Sequence, residues 1–197
     1  LIVLRSNVLA LDDISLSWEE LAALPEAYLT IWGALDKCLA IQSGQTLLVR
    51  GATSSVGLAA VTYAKARGLK VVATTRSQAN AGRLREMGAD EVVVDSGQIA
   101  NAVRQIVPAG VDAALEVVGA ATLRDTIKTL RPFGAVNVIG LLSGPPVLEQ
   151  FHLMQDLPAA TRLSFFPSGL LGTPAMPLQD SPLPWIAQEI AARRMPS

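Results

Sequence analysis

The sequence predicts an α/β protein built on a doubly wound parallel sheet with helices on both faces. Two observations carry this. Between Thr46 and Gly140, short β-branched runs alternate with longer helical patterns. The strand runs are apolar at consecutive positions, as in Thr46-Leu-Leu-Val-Arg50, which marks strands covered on both faces. Right-handed crossovers then leave few topologies besides the doubly wound one.

The elements follow in order. Ser17-Trp-Glu-Glu20 reads as a capping box opening a helix that meets Pro25, with a second helix from Pro25 or Glu26 towards Ala40. Thr46–Arg50 is a strand ending at Gly51. Val56 to Arg67 is an Ala-rich helix closed by Gly68, and Lys70–Thr75 a second strand. Ser77 to Met87 is a helix with Ala81, Leu84 and Met87 on one face and Gly88 just past its end. Glu91–Val94 is a short strand, Gln98 to Val107 a helix, Val111 to Val117 a strand, and Ala120 to Leu130 a helix. Pro132-Phe-Gly134 reads as a turn before the strand Ala135–Ile139. Beyond it come a loop, a helical stretch from Val147 to Leu157, a strand over Leu163 to Leu171 interrupted at Pro167, and a last helix from Trp185 to Arg194.

The composition bounds the function classes. Of 197 residues, 50% are hydrophobic and 17% charged, enough apolar surface for a large core and too much for a disordered chain. Lys and Arg total 16 against 17 Asp and Glu, interspersed, so no footprint for nucleic acid or an anionic membrane is expected. No apolar run reaches the roughly 18 residues of a membrane span. One cysteine and one histidine exclude an internal disulfide and argue against a Cys/His zinc site, and set the reducing cytoplasm as the expected compartment. The opening Leu1-Ile-Val-Leu-Arg5 lacks a signal-peptide pattern and reads as a cut inside a longer protein.

The informative segment is Val49-Arg-Gly-Ala-Thr-Ser-Ser-Val-Gly57. It follows a strand, opens a helix, and consists of small residues, so backbone N–H groups at the helix N-terminus can approach a pyrophosphate. Against the dinucleotide fingerprint G-x-G-x-x-G, Ala52 and Ser54 replace the first two glycines and only Gly57 fits. A tight turn without a ligand is the plain alternative; the β-α-β context favours a dinucleotide. At the end of the second strand, where an NAD site places Asp or Glu about 20 residues past the fingerprint, this sequence has Thr75, followed by Arg76 and Ser77. A guanidinium and a hydroxyl at a helix start suit a 2′-phosphate, and predict NADP(H).

Several further segments carry a resemblance: Ala22 to Leu35, Gly88-Ala-Asp90, Glu116-Val-Val-Gly119 and Leu130 to Gly140. With the Gly51–Gly57 loop, they resemble in order the nucleotide-binding (Rossmann-type) domain of the medium-chain dehydrogenase/reductase superfamily, nearest its zinc-independent quinone oxidoreductase branch. The resemblance implies a lead-in at 1–45, the cofactor domain at 46–172, and a linker and helix at 173–197 returning to a catalytic domain. It places Thr30 near the nicotinamide. It gives Ala52, Thr53, Ser54, Ser55, Val56 and Gly57 the pyrophosphate, with the Ser54 and Ser55 hydroxyls as further donors. Val118, Gly119, Ile139, Gly140 and Leu141 fall where the family keeps the nicotinamide and its ribose. Asp95 departs from relatives that place an aromatic residue near the pyrophosphate.

What the resemblance implies is a metal-independent reductase that passes hydride from NADPH to a quinone or α,β-unsaturated carbonyl, a small-molecule substrate, in a cleft shared with another domain. It also implies a homodimer through the strand near Leu163–Leu171, an apolar stretch without charge. The rivals are an enoyl reductase module of a polyketide or fatty-acid synthase, a zinc alcohol dehydrogenase, and a non-catalytic protein that senses dinucleotides or merely keeps the fold. No catalytic residue is assigned, because the cofactor carries the chemistry. Cys38 reads as a packed side chain, His152 as a surface residue, Arg83 and Arg85 as a solvated helix face, and Trp18, Trp32 and Trp185 as core or rim residues.

Overall fold

The computed structural model describes residues 3–12, 14–157 and 160–196, so the first two residues of the opening run lie outside the described residues. In chain order the principal elements are α1 (Trp18–Ile31), a π-helical turn (Trp32–Cys38), β1 (Thr46–Arg50), α2 (Ser55–Ala66), β2 (Lys70–Thr75), α3 (Ala81–Glu86) and β3 (Glu91–Val94). There follow α4 (Ala100–Ile106), β4 (Val111–Glu116), α5 (Ala120–Ile127), β5 (Leu130–Val138), the short α6 (Leu153–Asp156), β6 (Arg162–Phe165) and α7 (Leu183–Ala191). The six strands form one sheet in the order β3-β2-β1-β4-β5-β6, and every pairing is parallel. This is the doubly wound sheet the sequence predicts.

Strand alternation divides the core. Leu47 and Val49 of β1 point to one face with Val71, Ala73 and Leu115, where α1, α2 and α7 pack through Ile31, Val61, Tyr63 and Ile186. Leu48 points to the other with Val72, Ala114 and Val136, against Val103 of α4 and Leu123 and Ile127 of α5. Leu48 pairs with both Val72 and Ala114, so β1 is central and buried on both sides. That explains its unbroken apolar run.

Several boundaries differ from expectation. The capping box is present, Ser17 Oγ accepting the Glu20 N–H and Glu20 returning to the Ser17 N–H at 2.8 Å, but α1 runs through Pro25 as one helix. Proline removes one helical bond; burial of Leu24, Ala27, Tyr28, Leu29 and Ile31 outweighs it. The helix expected from Ala120 to Leu130 ends at Ile127, and Pro132-Phe-Gly134 is an irregularity within β5, with a register shift opposite Val111–Ala113 and Phe133 at φ 61°. Only Leu153–Asp156 of the Val147–Leu157 stretch is helical. The last strand is confined to Arg162–Phe165, and Ser168–Leu170 after Pro167 turns as a 3₁₀ helix. Trp32 is core and Trp185 packs edge-on against Tyr63, while Trp18 is 85% exposed at the start of α1.

Candidate functional site

From the centre of the sheet the chain leaves β1 towards β2 and β4 towards β5, in opposite directions. Doubly wound sheets bind ligands in the crevice that opens beyond the strand ends at such a switch point. Two cavities lie there. The larger, about 810 Å³, is lined by Gly51, Thr53 and Ser54 after β1, Thr74, Thr75 and Arg76 at the end of β2, and Asp95, Ser96 and Gly97 after β3. Val118 and Thr122 after β4, and Leu142 and Ser143 after β5, complete it. The smaller, about 410 Å³, brings Thr30 of α1 and Val56 of α2 together with Val117, Ile139, Leu141 and the segment Phe165–Gly169.

Ser54 caps α2. Its hydroxyl accepts the Gly57 N–H at 3.1 Å and donates to the Gly51 carbonyl at 3.0 Å. The Ala52 N–H donates to the Thr74 carbonyl at 3.2 Å and the Ser54 N–H to Gly51 at 3.3 Å. These bonds narrow the expected row of pyrophosphate donors. Ala52, Ser54 and Gly57 are engaged internally, and the Ser54 hydroxyl is spent on the cap. Ser55 and Val56, the first two residues of α2, hold N–H groups with no partner inside the helix. Gly57 serves by its size: a Cβ there would lie 2.4 Å from the Gly51 carbonyl oxygen and 2.7 Å from Ala52 Cα. Any side chain would push the turn off the helix.

At the end of β2, Thr75 is buried and its hydroxyl closes the next turn, accepting the Ser77 N–H at 3.2 Å. Ser77 in turn caps a short 3₁₀ turn through the Ala79 N–H, and both side chains are therefore partly committed to shape. Arg76 is exposed on the cleft wall and makes no hydrogen bond or ion pair among the described residues. Gly119 and Gly140 line neither cavity but let the β4 and β5 ends approach: a Cβ on Gly140 would fall 1.5 Å from the Val117 carbonyl oxygen.

Sequence reasoning missed the floor of the larger cleft. Arg50, fully buried at the end of β1, holds Asp95 through both carboxylate oxygens at 2.8 and 3.0 Å, and Asp125 at 2.9 Å. Burial works to raise the Asp95 carboxyl, but Arg50 and the Gly97 N–H outweigh it and leave it below the usual carboxylate range. Glu116, also fully buried, accepts the Val118 and Gly119 N–H groups at 2.8 and 3.0 Å and the Thr126 hydroxyl at 2.5 Å. Burial pushes its carboxyl up, partly offset by those donors and by Arg50. The signal was present: a charged residue closing an otherwise apolar central strand.

Cys38 is half-buried and burial raises its thiol, in keeping with a packed side chain. His152 is exposed, its backbone N–H bonded to Asp156. Arg83 and Arg85 are exposed on α3.

Residues 55–169 match the family model described as zinc-binding dehydrogenase. The chain belongs to that family. The match and the fold together make it a nucleotide-binding domain of the medium-chain dehydrogenase/reductase superfamily. It is 32% identical over 159 residues to a highly reducing polyketide synthase of Cryptosporiopsis sp., covering 77% of this chain and 7% of the synthase. It is 33% identical over 130 residues to the quinone oxidoreductase of Rattus norvegicus, covering 64% of this chain and 39% of that protein. The crystal structure of AibC superposes with a TM-score of 0.79 at 30% identity, covering 99% of this chain and 49% of that one. The chain thus spans less than half the length of each of these proteins. Among the described residues of this dehydrogenase-family domain no three His, Cys, Asp or Glu side chains gather as a metal site.

Proposed function

We propose that this dehydrogenase-family domain binds NADP(H) and serves as the cofactor half of an oxidoreductase acting on a quinone or an α,β-unsaturated carbonyl. The observation that carries the reading is Arg76, a cation with no hydrogen-bond or ion-pair partner among the described residues, on the wall of the 810 Å³ cleft just past β2, where Thr75 stands in place of the carboxylate that an NAD site offers to the ribose 2′-hydroxyl. The cradle fits the rest of the ligand. The free N–H groups at the start of α2 suit a pyrophosphate, and the smaller cavity with Thr30, Ile139 and Leu141 suits the nicotinamide. When bound, the cofactor supplies hydride; these residues hold and orient it and keep water from one side.

A charge-assisted bond to a 2′-phosphate contributes about 1.5–3 kcal/mol, or about a tenfold to hundredfold preference. Arg76→Ala should therefore weaken NADPH binding by about that factor and leave NADH nearly unchanged, as read by fluorescence titration. Equal loss for both cofactors would remove Arg76 from the 2′-phosphate site.

The match to a polyketide synthase over 77% of the chain favours a second reading, an enoyl reductase module. It shares the same cofactor site and differs in the substrate. Steady-state assays of the full-length protein with a simple quinone and with an enoyl thioester separate the two.

We also propose that two copies join at β6. This strand is the sheet edge, and Leu163 and Phe165, partly exposed, border an apolar hollow of about 430 Å³. Sedimentation at micromolar concentration should show a dimer, reduced to monomer by Leu163→Lys. A clean wild-type monomer would contradict this.

A further inference from the structure

The guanidinium of Arg50 is buried beneath residues that line the cleft. Its three nitrogens have six oxygen partners within 3.0 Å, and these belong to two separate walls. Asp95 and the Gly97 carbonyl come from the loop after β3; the Thr122 carbonyl, Asp125 and the Thr126 hydroxyl come from α5. Asp95, Gly97 and Thr122 themselves line the cleft. Asp125 also accepts the Ile99 N–H at 2.7 Å, so the start of α4 hangs from the same cluster.

Beside Arg50 in the β1–β4 ladder stands Glu116, which fixes the Val118 and Gly119 N–H groups. One planar fork with donors fixed in direction thus spans what several loops would otherwise hold separately.

We propose that Arg50 is the positioning residue of the nucleotide cleft. It sets the separation of the β3 and α5 walls, and by pairing with Asp95 it keeps an uncompensated carboxylate from facing an anionic ligand. The inference rests on the NADP(H) reading and adds to it a residue that never touches the cofactor. Lysine at this position keeps the charge but has a single nitrogen, which cannot reach both walls.

The test compares NADPH affinity, by calorimetric titration, of the wild type, Arg50→Lys and a control, Ile186→Ala. Ile186 is buried on α7, an element that contributes nothing to the lining of the cleft. Arg50→Lys, with circular dichroism showing it folded, should bind NADPH about tenfold or more weakly, because sites tolerate only about 0.5 Å of misplacement. Ile186→Ala should melt at lower temperature yet keep its affinity within about twofold, which separates positioning from stability. Should Arg50→Lys not fold, Asp125→Ala carries the test: it removes the charged contact to the α5 wall, leaves the Asp95 pair, and should lose affinity in the same direction. Wild-type affinity in a folded Arg50→Lys or Asp125→Ala overturns the proposal, as does an equal loss in Ile186→Ala. A wild type with no affinity for NADPH removes the functional reading, and this inference with it. A wild type that binds while Arg50→Lys binds equally removes this inference alone.

Discussion

Arg50→Met should lower the unfolding free energy by about 3–5 kcal/mol in urea denaturation at pH 7. The guanidinium is fully buried, and its removal leaves Asp95 and Asp125, with side chains only 9% and 18% exposed, facing each other and Glu116 without a counter-charge. Pairing is what makes such burial tolerable; a lone carboxylate in this place keeps its desolvation cost and loses its compensation.

The pH dependence has a definite sign. In the wild type the Asp95 carboxyl sits below its ordinary value. Its contribution is therefore complete above the unfolded value of about 3.9 and is lost as pH falls through the lower folded value. In Arg50→Met burial is left to raise the Asp95 carboxyl without the guanidinium to oppose it, so acidification neutralises it sooner. The gap between the two proteins should be widest near neutrality and should narrow towards the unfolded value. A gap below about 1 kcal/mol at pH 7, or one that widens on acidification, would contradict the ion-pair account.

Gly140→Ala should cost about 4 kcal/mol or more, the range reserved for clashes that the surroundings cannot relieve. The added carbon would lie 1.5 Å from the Val117 carbonyl oxygen and 2.3 Å from the Val117 carbonyl carbon. Both are backbone atoms at the end of β4, so no rotamer change makes room. The ends of β4 and β5 would have to separate, displacing Val118 and Ile139 from the two cavities. Gly82→Ala on α3 is the control, since nothing lies within 4 Å of its added carbon. It should be neutral or stabilising by up to about 1 kcal/mol. Equal melting temperatures for the two variants would show that the close approach of β4 and β5 is not required.

The alternation of strands and helices was readable because it is local. Runs such as Leu47-Leu48-Val49 and Val71-Val72-Ala73 are apolar on both faces, which only a sheet covered twice requires. Gly57 was readable for a similar reason: the strand, turn and helix that crowd it lie within a few residues.

Other features were decided at longer range. Pro25 carries a local stop signal, yet α1 continues because its apolar face is held by α2 and the sheet. Leu130 to Gly134 reads as helix end and turn, but ladder pairing with Val111 draws Leu130 into β5. Arg50 meets Asp95 and Asp125 across 45 and 75 residues of chain, and no local pattern connects them. The candidate site divides in the same way. Thr53, Ser54, Thr75, Arg76 and Val118 converge on one cavity and Thr30, Val56, Ile139 and Leu141 on the other, while Gly57 and Gly140 act by being small. The commitment of the Ser54 hydroxyl to the helix cap depends on turn geometry that a list of small residues does not contain.

The central claim is that the cleft beyond β1 and β4 takes a nicotinamide dinucleotide carrying a 2′-phosphate. Calorimetric titration of the 197-residue chain with NADPH and, separately, with NADH tests it most directly. The account predicts saturable binding of NADPH with one site per chain, and NADH binding weaker by about tenfold or more. Absence of heat with both cofactors, or NADH binding as tight as NADPH, would contradict it.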